Sequence, residues 1–446
     1  MNSEKLKAKK KARNEGRPGY KKTKVGWIPE EWECRKILDV TQYVDYRGKT
    51  PAKSDKGIFL ITAKNIQEGY IDYEISKEFI PEELYEKVMA RGKPNIGDVL
   101  ITTEAPLGNV AQIDKERVAL AQRIIKYRAK DGILSNNFFK YYLLSPVFQR
   151  LLNLDATGST VKGIKGSRLH RLPATLPPLP EQKKIAEILS AWDRAIEQVG
   201  KLIDAKERLK KGLMQQLLTG RMRFPEFGKP VQRKDELPVG WRELQLKDIA
   251  AISFSGVDKK SRPGQKRVRL CNYMDVYNNN YITADMDFMW ATATDAEIEK
   301  YTLEVGDIMI TKDSETPDDI GVPSVVAEKL DNVVCGYHLA LIKPNLEKIN
   351  PIFLAKQIKH ERVANQFSRL ANGATRFGLT TSSVKCVRLW LPKIEEQTRI
   401  AAVLSTCDRE IELLKKKQEK LKEQKKGLMQ KLLTGEIRVK AKERDS

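Results

Sequence analysis

The feature that most constrains the fold is an internal repeat, in which residues 176–224 recur without a gap at residues 391–439. The first copy begins LPPLPEQKKIAEILSAWDRAIE and the second begins LPKIEEQTRIAAVLSTCDREIE. Near their ends the copies read KKGLMQQLLTG and KKGLMQKLLTG. Roughly half of the aligned positions are identical, which chance does not produce over such a length. The chain therefore contains one structural unit that is used twice.

Each copy of the repeat predicts a long helix with a heptad seam. Apolar residues, or residues with long aliphatic stems, recur at alternating spacings of four and three, which is the pattern of a coiled coil. Pro180 suits a first helical turn, and Gly220 and Gly435 suit helix ends. About forty residues at ~1.5 Å each give a rod of about 60 Å.

Polar residues and glycines interrupt the two helices. The polar seam residues either fix the register or lie with their stems along the apolar surface, and we favour the second interpretation. Gly212 and Gly427 would be explained by close approach of another backbone or by a tolerated kink. The polar seam residues are Lys206, Lys210, Gln418 and Lys425.

The segments that precede the two helices also correspond to each other. Trp32 matches Trp241, and each segment contains a GD-[VI]-[LM]-I-T stretch that predicts a strand entered from a turn. Amphipathic helices are predicted near the end of each segment, so both domains mix helices and strands. The matched stretches are 97–102 and 306–311 for the strands, 136–154 and 351–370 for the helices, and 158–164 and 373–379 for glycine loops.

Charge points to a polyanionic partner. The chain has 81 Lys and Arg against 59 Asp and Glu, a formal net charge of +22. Residues 1–24 contribute +8, from ten basic and two acidic residues, so +14 is spread over the remainder. This distribution favours DNA or RNA. We interpret residues 1–24 as a flexible basic arm, which either contacts DNA or is only a solvated end.

Several classes of protein are disfavoured by the sequence. The five cysteines lie far apart without a CxxC pair, which argues against a zinc site and disulfides and favours a reducing, cytoplasmic setting. No apolar run is long enough to predict a membrane span, and the charged N-terminus lacks the apolar region of a secretory signal. Aromatic residues at strand-like spacing are interpreted as core.

No catalytic constellation is evident. Gly48-Lys49-Thr50 looks like the end of a phosphate loop, but Tyr43 occupies the position where that motif needs a glycine. Pro177-Pro178 lacks the flanking aromatic residue of an adenine methyltransferase motif. We therefore expect a chain with no catalytic or metal-binding residues. Two alternatives stay open at this point, namely a coiled-coil scaffold with incidental charge and a self-contained methyltransferase or nuclease.

The order of domain, helix, domain and helix, with these repeated helix entries and exits, resembles the DNA-specificity subunit of type I restriction–modification enzymes. The resemblance covers nearly all of residues 25–439. It implies a bacterial or archaeal phage-defence protein of the α+β class. A specificity module of another phage-defence methylation system stays open as a third alternative. Two mixed α/β target recognition domains would be separated by two long antiparallel coiled-coil helices with pseudo-two-fold internal duplication. The implied segments are arm 1–24, domain 25–175, helix 176–224, domain 225–390, helix 391–439 and tail 440–446.

The resemblance also implies the partners. The chain would read a bipartite, asymmetric target in double-stranded DNA and dock two adenine methyltransferase (modification) subunits. Restriction/translocase subunits would join this complex, and no membrane would be involved. S-adenosylmethionine, ATP and Mg would be held by those partners and no cofactor by this chain. The rod length predicts half-site centres about one DNA turn apart or slightly more. The helix residues expected to bind partner subunits are Gln182, Ile185, Trp192, Leu213, Gln397, Ile400 and Leu428.

Candidate DNA-binding residues follow from the chemistry of base and phosphate recognition. Arg and Lys suit guanine and phosphate, Asn suits adenine, and hydroxyl groups suit phosphate. For each candidate the alternative is a solvated surface charge or a turn residue. The candidates are Arg47, Lys49, Thr50, Lys64, Asn65, Ser159, Thr160 and Lys162 in the first domain, and Lys259, Lys260, Arg262, Lys266, Arg267, Arg269, Asn272, Thr375 and Arg376 in the second.

Overall fold

The computed structural model describes residues 17–46, 51–233 and 236–439. The chain forms two compact units. The first unit is Met1–Val199 with Lys417–Ser446, and the second is Gly200–Lys416. This division passes through both long helices, so each unit holds one of the two domains together with a part of each helix. The compact units therefore cut across the segments predicted from the sequence.

The first unit contains eleven strands, five short α-helices and the short 3-10 helix Glu82–Leu84 within its described residues, and the first long helix begins there. The strands are β1 Tyr20–Thr23, β2 Gly26–Pro29, β3 Glu33–Lys36, β4 Thr41–Asp45, β5 Ile58–Ile61, β6 Phe79–Ile80, β7 Val99–Thr103, β8 Leu107–Gln112, β9 Ala119–Leu120, β10 Ile124–Ala129 and β11 Pro173–Leu176. The helices are α1 Ile37–Val40, α2 Tyr85–Val88, α3 Asn136–Leu144, α4 Pro146–Asp155, α5 Gly166–Leu169 and the long α6 Leu179–Leu217.

The second unit repeats this layout with some additions, and the second long helix begins there. The strands are β12 Arg242–Gln245, β13 Ala250–Phe254, β14 Lys266–Cys271, β15 Tyr281–Ile282, β16 Met289–Ala293, β17 Ile308–Thr311, β18 Asp313–Ser314, β19 Pro323–Val326, β20 Val333–Cys335, β21 Leu339–Pro344, β22 Phe377–Gly378 and β23 Arg388–Leu391. The helices are α7 Tyr273–Asn278, α8 Asp295–Tyr301, α9 Pro351–Lys359, α10 Glu361–Leu370, α11 Thr381–Lys385 and the long α12 Ile394–Leu433.

The sheets of the two units follow the same plan. The main sheet has the order β4-β10-β7-β8 in the first unit and β13-β21-β17-β19-β15 in the second. The predicted strands β7 and β17 lie inside these sheets, and all their residues are buried. A small sheet, β6-β5-β9 in the first unit and β16-β14-β20 in the second, has one antiparallel and one parallel pair in each case. A third, two-stranded sheet joins β11 to β3 and β12 to β23.

Each unit contains two apolar cores. One core lies between the main sheet, the paired helices that follow it and the long helices, and includes Trp32, Ile185 and Leu189 in the first unit. Its counterpart in the second unit includes Ile400 and Leu404. The other core lies under the small sheet in each unit. The beginning of each long helix is therefore buried against a domain as well as against the other helix.

The two long helices pair in opposite directions within each unit. In the first unit Asp193 forms an ion pair with Lys425, and Gln418 donates to the carbonyl of Ile196 at 3.3 Å. In the second unit Lys206 pairs with Glu410 and Glu207 with Lys415, each at 2.7 Å. Residue numbers rise along one helix as the numbers of their partners fall along the other, so the two helices pack antiparallel. The interpretation of these polar seam residues as merely snorkelling stems is wrong, because they pair across the helices.

Two further expectations are corrected by the structure. Each predicted amphipathic helix is two helices, broken at Ser145 and His360, whose backbones are extended and whose side chains accept from the following helix. Tyr20–Thr23 of the predicted arm is a strand, because it pairs with β2, and the Tyr20 hydroxyl donates to the Gly435 carbonyl at 2.8 Å. Residues 1–16 of the arm and the tail 440–446 lie outside the described residues.

The helix ends agree with the sequence. Gly220 and Gly435 follow the last helical turns with φ of +70° and +72°, in the left-handed region that glycine adopts without strain. A Cβ atom at Gly212 or Gly427, by contrast, would meet nothing within 4 Å. Close backbone approach within this chain therefore does not explain those two glycines.

Candidate nucleic-acid interface

Each domain is fixed to the start of a long helix by the same three side chains. In the first unit the Trp32 indole donates to the Glu181 carboxylate at 3.1 Å, and Arg438 binds both oxygens of that carboxylate at 2.8 and 3.0 Å. Arg438 also reaches Glu31 at 2.8 Å, and these carboxylates raise the pKa of its guanidinium. The bidentate geometry fixes the exit of one helix against the entry of the other.

The second unit builds the same junction from Trp241, Glu396 and Arg223. The indole donates to Glu396 at 3.1 Å, and Arg223 binds its two oxygens at 2.9 and 2.8 Å. Here the arginine side chain is only 3% exposed, whereas Arg438 is 37% exposed. The two tryptophans were matched from the sequence, but the junction and its arginines were not predicted, although the recurrence of Arg223 as Arg438 in the second copy was the available signal.

A buried glutamine at each helix start corrects part of the partner-binding prediction. Gln182 accepts from the backbone of Ser135 at 2.9 Å and donates to the carbonyls of Ile133 and Pro177. Gln397 makes the equivalent three hydrogen bonds in the second unit. These hydrogen bonds of both side chains hold a domain to its helix. The prediction is wrong for Gln182, Ile185, Gln397 and Ile400, which are all at most 1% exposed, while Trp192, Leu213 and Leu428 are partly exposed.

The two glycine loops have the same construction. Thr157 and Gly163 exchange two backbone hydrogen bonds at 2.9 Å, and Asn372 and Gly378 do the same at 3.0 and 2.9 Å. The backbone of Ile164 donates to β7, and that of Leu379 donates to the residue following β17. The loop is thereby fixed to the end of the predicted buried strand in each unit. Its tip exposes the candidates Ser159, Thr160 and Lys162 in the first domain, and Thr375 and Arg376 in the second.

The basic loop 258–267 of the second domain is fixed to the small sheet. The Thr292 hydroxyl on β16 accepts from the backbone of Arg262 and donates to Gln265, both at 2.8 Å. The carbonyl of Arg267 accepts from the Asn332 amide at 2.9 Å. Lys266 pairs with Asp295 at 2.7 Å, and both are well exposed. The exposed candidates on this loop are Lys259, Lys260, Arg262, Lys266 and Arg267.

Three other candidates are held by internal contacts. Asn65 is fully buried, and its side chain accepts from the backbone of Thr62 and donates to the carbonyls of Asp72 and Ser76. The prediction that Asn65 contacts DNA is therefore wrong. Its neighbour Lys64 is exposed. Arg269 donates to the Met286 carbonyl at 3.0 Å. Asn272 is the N-cap residue immediately before helix α7, and its backbone donates to the Asp275 carboxylate. Arg47, Lys49 and Thr50 lie outside the described residues.

The second unit has a buried charge cluster that differs from its counterpart. Asp408 binds Lys210 and Lys356 and accepts from the Tyr281 hydroxyl at 2.8 Å. Burial opposes ionisation of Asp408, but the two lysines hold its pKa below the ordinary value. The equivalent Asp193 has Lys425 and accepts from Tyr141 at 2.6 Å. Lys140 also lies 4.0 Å from Asp193, so two lysines and a tyrosine surround the helix carboxylate in both units. The two clusters differ in burial, because the Asp408 side chain is 6% exposed and the Asp193 side chain 39%.

Within residues 17–46, 51–233 and 236–439, no group of His, Cys, Asp and Glu side chains is arranged to hold a metal ion. Over the same ranges, no helix has the length and apolar character needed to cross a membrane. The glycine loops and loop 258–267 carry exposed basic and hydroxyl groups, which are the kinds of group that proteins use to contact phosphates.

Comparisons with known proteins agree with this architecture. Curated relatives include the putative type I restriction enzyme MjaX specificity subunit of Methanocaldococcus jannaschii, 27% identical over 94% of this chain and 97% of that protein. The EcoKI specificity subunit of Escherichia coli is 21% identical over 84% of this chain and 82% of its own length.

A solved structure has a similar fold, the S subunit of a type I restriction-modification system from M. genitalium. It is 17% identical, has a TM-score of 0.57 and covers 90% of this chain and 96% of its own. The family described as "Type I restriction modification DNA specificity domain" matches residues 29–207 and 238–423, which together are well over half of the chain. Both copies of the repeat thus carry the family's domain, and the chain belongs to the family of type I restriction–modification specificity subunits.

Proposed function

We propose that this chain reads a bipartite, asymmetric sequence in double-stranded DNA, with one half-site bound by each domain. The observation that carries the proposal is that the two units share one construction but expose different chemistry. The sheet orders, the helix junctions and the glycine loops correspond, whereas the loop tips carry Lys162 in one domain and Arg376 in the other. Different side chains on equivalent supports suit two different half-sites.

The electrostatic character supports DNA as the partner. Residues 258–269 carry six cations and one carboxylate, on a loop whose ends are fixed to the small sheet. Clustered cations on a fixed loop suit phosphate contacts, while guanidinium groups suit guanine edges. The +14 that lies outside residues 1–24 extends this character over the folded domains. Binding is then expected to weaken steeply as salt rises.

The partner subunits belong to the same proposal. Two adenine methyltransferase subunits would dock on the two units, since the duplicated helices offer two similar surfaces, and restriction/translocase subunits would join them. Trp192, Leu213 and Leu428 are the helix candidates that retain exposed surface for such contacts. S-adenosylmethionine, ATP and Mg would be held by those subunits, and this chain would act in the cytoplasm without catalysing a step itself.

The test is to map methylated adenines in the genome of a host that carries the complete system and in the same host with this chain deleted. We expect one asymmetric motif of two specified parts and an unspecified spacer, present only with the chain. A motif that persists after deletion would contradict the proposal. Methyl transfer by the purified chain alone would contradict its non-catalytic assignment.

A further inference from the structure

The small sheets place two outward-facing residues at equivalent positions in the two domains. In β14 the exposure pattern from Val268 to Cys271 is buried, half-buried, buried, buried, and β5 has the same pattern from Ile58 to Ile61. The half-buried residues are Arg269 and Phe59. Each faces a cross-strand partner on the antiparallel neighbour, Trp290 on β16 and Phe79 on β6. This register allows a direct comparison of the two outer faces.

In the first domain this face is aromatic and largely covers itself, with the Lys115 ammonium 3.6 Å from the ring centroid of Tyr73. The rings of Phe59 and Phe79 meet edge to face with centroids 5.5 Å apart, and Tyr73 contacts Phe59 with centroids 5.1 Å apart. All three side chains are half-buried. Edge-to-face aromatic contacts of this kind stabilise the sheet itself. The position therefore needs no external partner in the first domain.

In the second domain the same face is cationic, and its cross-strand residue Trp290 is exposed. Trp290 is 51% exposed, and the guanidinium carbon of Arg267 lies 4.0 Å above its ring centroid. Arg269 lies 5.1 Å from the centroid of Phe288. Among the residues that the structure describes, Arg267 has no carboxylate partner. We call Arg267, Arg269 and Trp290 the Trp290 face.

Two properties of the Trp290 face indicate an external ligand. An exposed indole is a large apolar surface that gains free energy when covered. A guanidinium stacked on an aromatic ring keeps its planar fork of donors in one orientation, with its hydrogen-bonding edge available. The fork matches the acceptors of a phosphate or of the guanine edge. The ligand must therefore combine an apolar or stacking surface with anionic or acceptor groups.

Resting on the proposed function, we propose that the Trp290 face is a DNA-contact surface of the second domain. The indole of Trp290 packs against the sugar or base edge of one nucleotide, and Arg267 donates to the adjacent phosphate or guanine. Antiparallel strands β14 and β16 form the kind of two-stranded ribbon that the DNA major groove admits. DNA is favoured over a protein partner because six cations and one carboxylate lie in residues 258–269.

The test uses the complex of this chain with its modification subunits, purified from the host, and a duplex carrying the mapped methylation motif. Trp290→Ala should weaken binding roughly tenfold or more, because the apolar contact of the indole with one nucleotide is lost. Its salt dependence should stay unchanged, since an apolar contact releases no counterions. Trp290→Phe, which keeps an aromatic plane, should retain most of the affinity. Arg267→Ala should weaken binding and also lower the salt slope by about one.

Leu346→Ala is the matched control, because Leu346 is a 62% exposed apolar residue of the same domain outside the small sheet. It should bind as the wild type does. Wild-type affinity in Trp290→Ala would overturn the inference. Loss of the modification subunits with DNA affinity retained would also overturn it, because the face would then bind protein. A wild-type complex with no preference for the motif duplex would instead contradict the proposed function itself.

Discussion

The junctions of the two units and the outer faces of their small sheets have diverged to different extents. Both junctions use a tryptophan, a glutamate and an arginine with nearly the same distances. The equivalent small sheets instead present an apolar pair, Phe59 and Phe79, in one domain and a cation with an exposed indole in the other. The same supporting geometry therefore carries different surface chemistry.

This difference separates two physical requirements. A junction must keep a domain in one orientation on its helix, and a buried carboxylate with a bidentate arginine does this in both units. A recognition surface must instead discriminate among ligands, which depends on the side chains that reach a base edge. A chain that duplicates its junctions but varies its recognition surfaces can therefore read two different half-sites while both domains are held in the same way.

The largest stability effect is expected from the junction with the more buried arginine. Glu396→Gln leaves Arg223 without a carboxylate in a site where that side chain is 3% exposed, so the full chain should lose about 3–5 kcal/mol of unfolding free energy. Glu181→Gln should cost less, about 1–2 kcal/mol, because Arg438 is more exposed and keeps Glu31. Denaturant titration measures both losses.

Glu187→Gln serves as the control for these variants, because Glu187 pairs with Lys184 on an exposed helix face. Its effect should stay below about 0.5 kcal/mol. Equal losses in Glu396→Gln and Glu181→Gln would mean that burial of the arginine does not set the strength of the junction.

The next effect concerns DNA binding by the loop of the second domain. Replacing Arg262, Lys266 and Arg267 with Ala should weaken duplex binding by the assembled complex and lower the salt slope by about two to three. The slope comes from affinity measured over a series of salt concentrations.

A charge-matched control replaces Lys247, Lys348 and Lys393, which are exposed on the second unit near its helix junction. Both triple variants lose three positive charges, so any general electrostatic effect is shared. An unchanged DNA affinity and salt slope in the loop variant, or an equal loss of affinity in both variants, would show that the loop is not part of the DNA interface.

The smallest effect concerns a feature that both helices share. Gly212→Ala and Gly427→Ala should each stabilise the chain by about 1 kcal/mol, because alanine favours the helix and its Cβ meets no atom within 4 Å. Thermal or denaturant unfolding of the full chain measures the change. Destabilisation in either variant would show that the helix needs its glycine for a bend.

Much of the scaffold follows from the sequence alone. The ungapped repeat predicted two equivalent helices, and the structure has them at Leu179–Leu217 and Ile394–Leu433. The predicted first copy starts at residue 176, but Leu176 ends strand β11 because the Leu-Pro-Pro segment is extended. The heptad pattern did not reveal which surface each apolar residue contacts, so Ile185 and Ile400 were expected to meet partner subunits and instead lie in the domain cores.

The candidate site was harder to predict, because the direction of a side chain in a turn depends on tertiary contacts. Lys64 and Asn65 are adjacent, yet one is exposed and the other is fully buried by three hydrogen-bonding partners. Trp290 was among the aromatic residues interpreted as core, since an alternating strand pattern does not say which face is covered. The cross-strand register of the folded sheet was needed to place it outward.

We propose that each domain reads one half-site independently, on an assembly scaffold that the two domains share. The most direct measurement replaces residues 225–390 with the corresponding domain of a relative and maps methylated adenines in the host. One half of the motif should change, while the other half and the existence of a two-part target stay the same. An unchanged motif, or a change in both halves, would contradict the account.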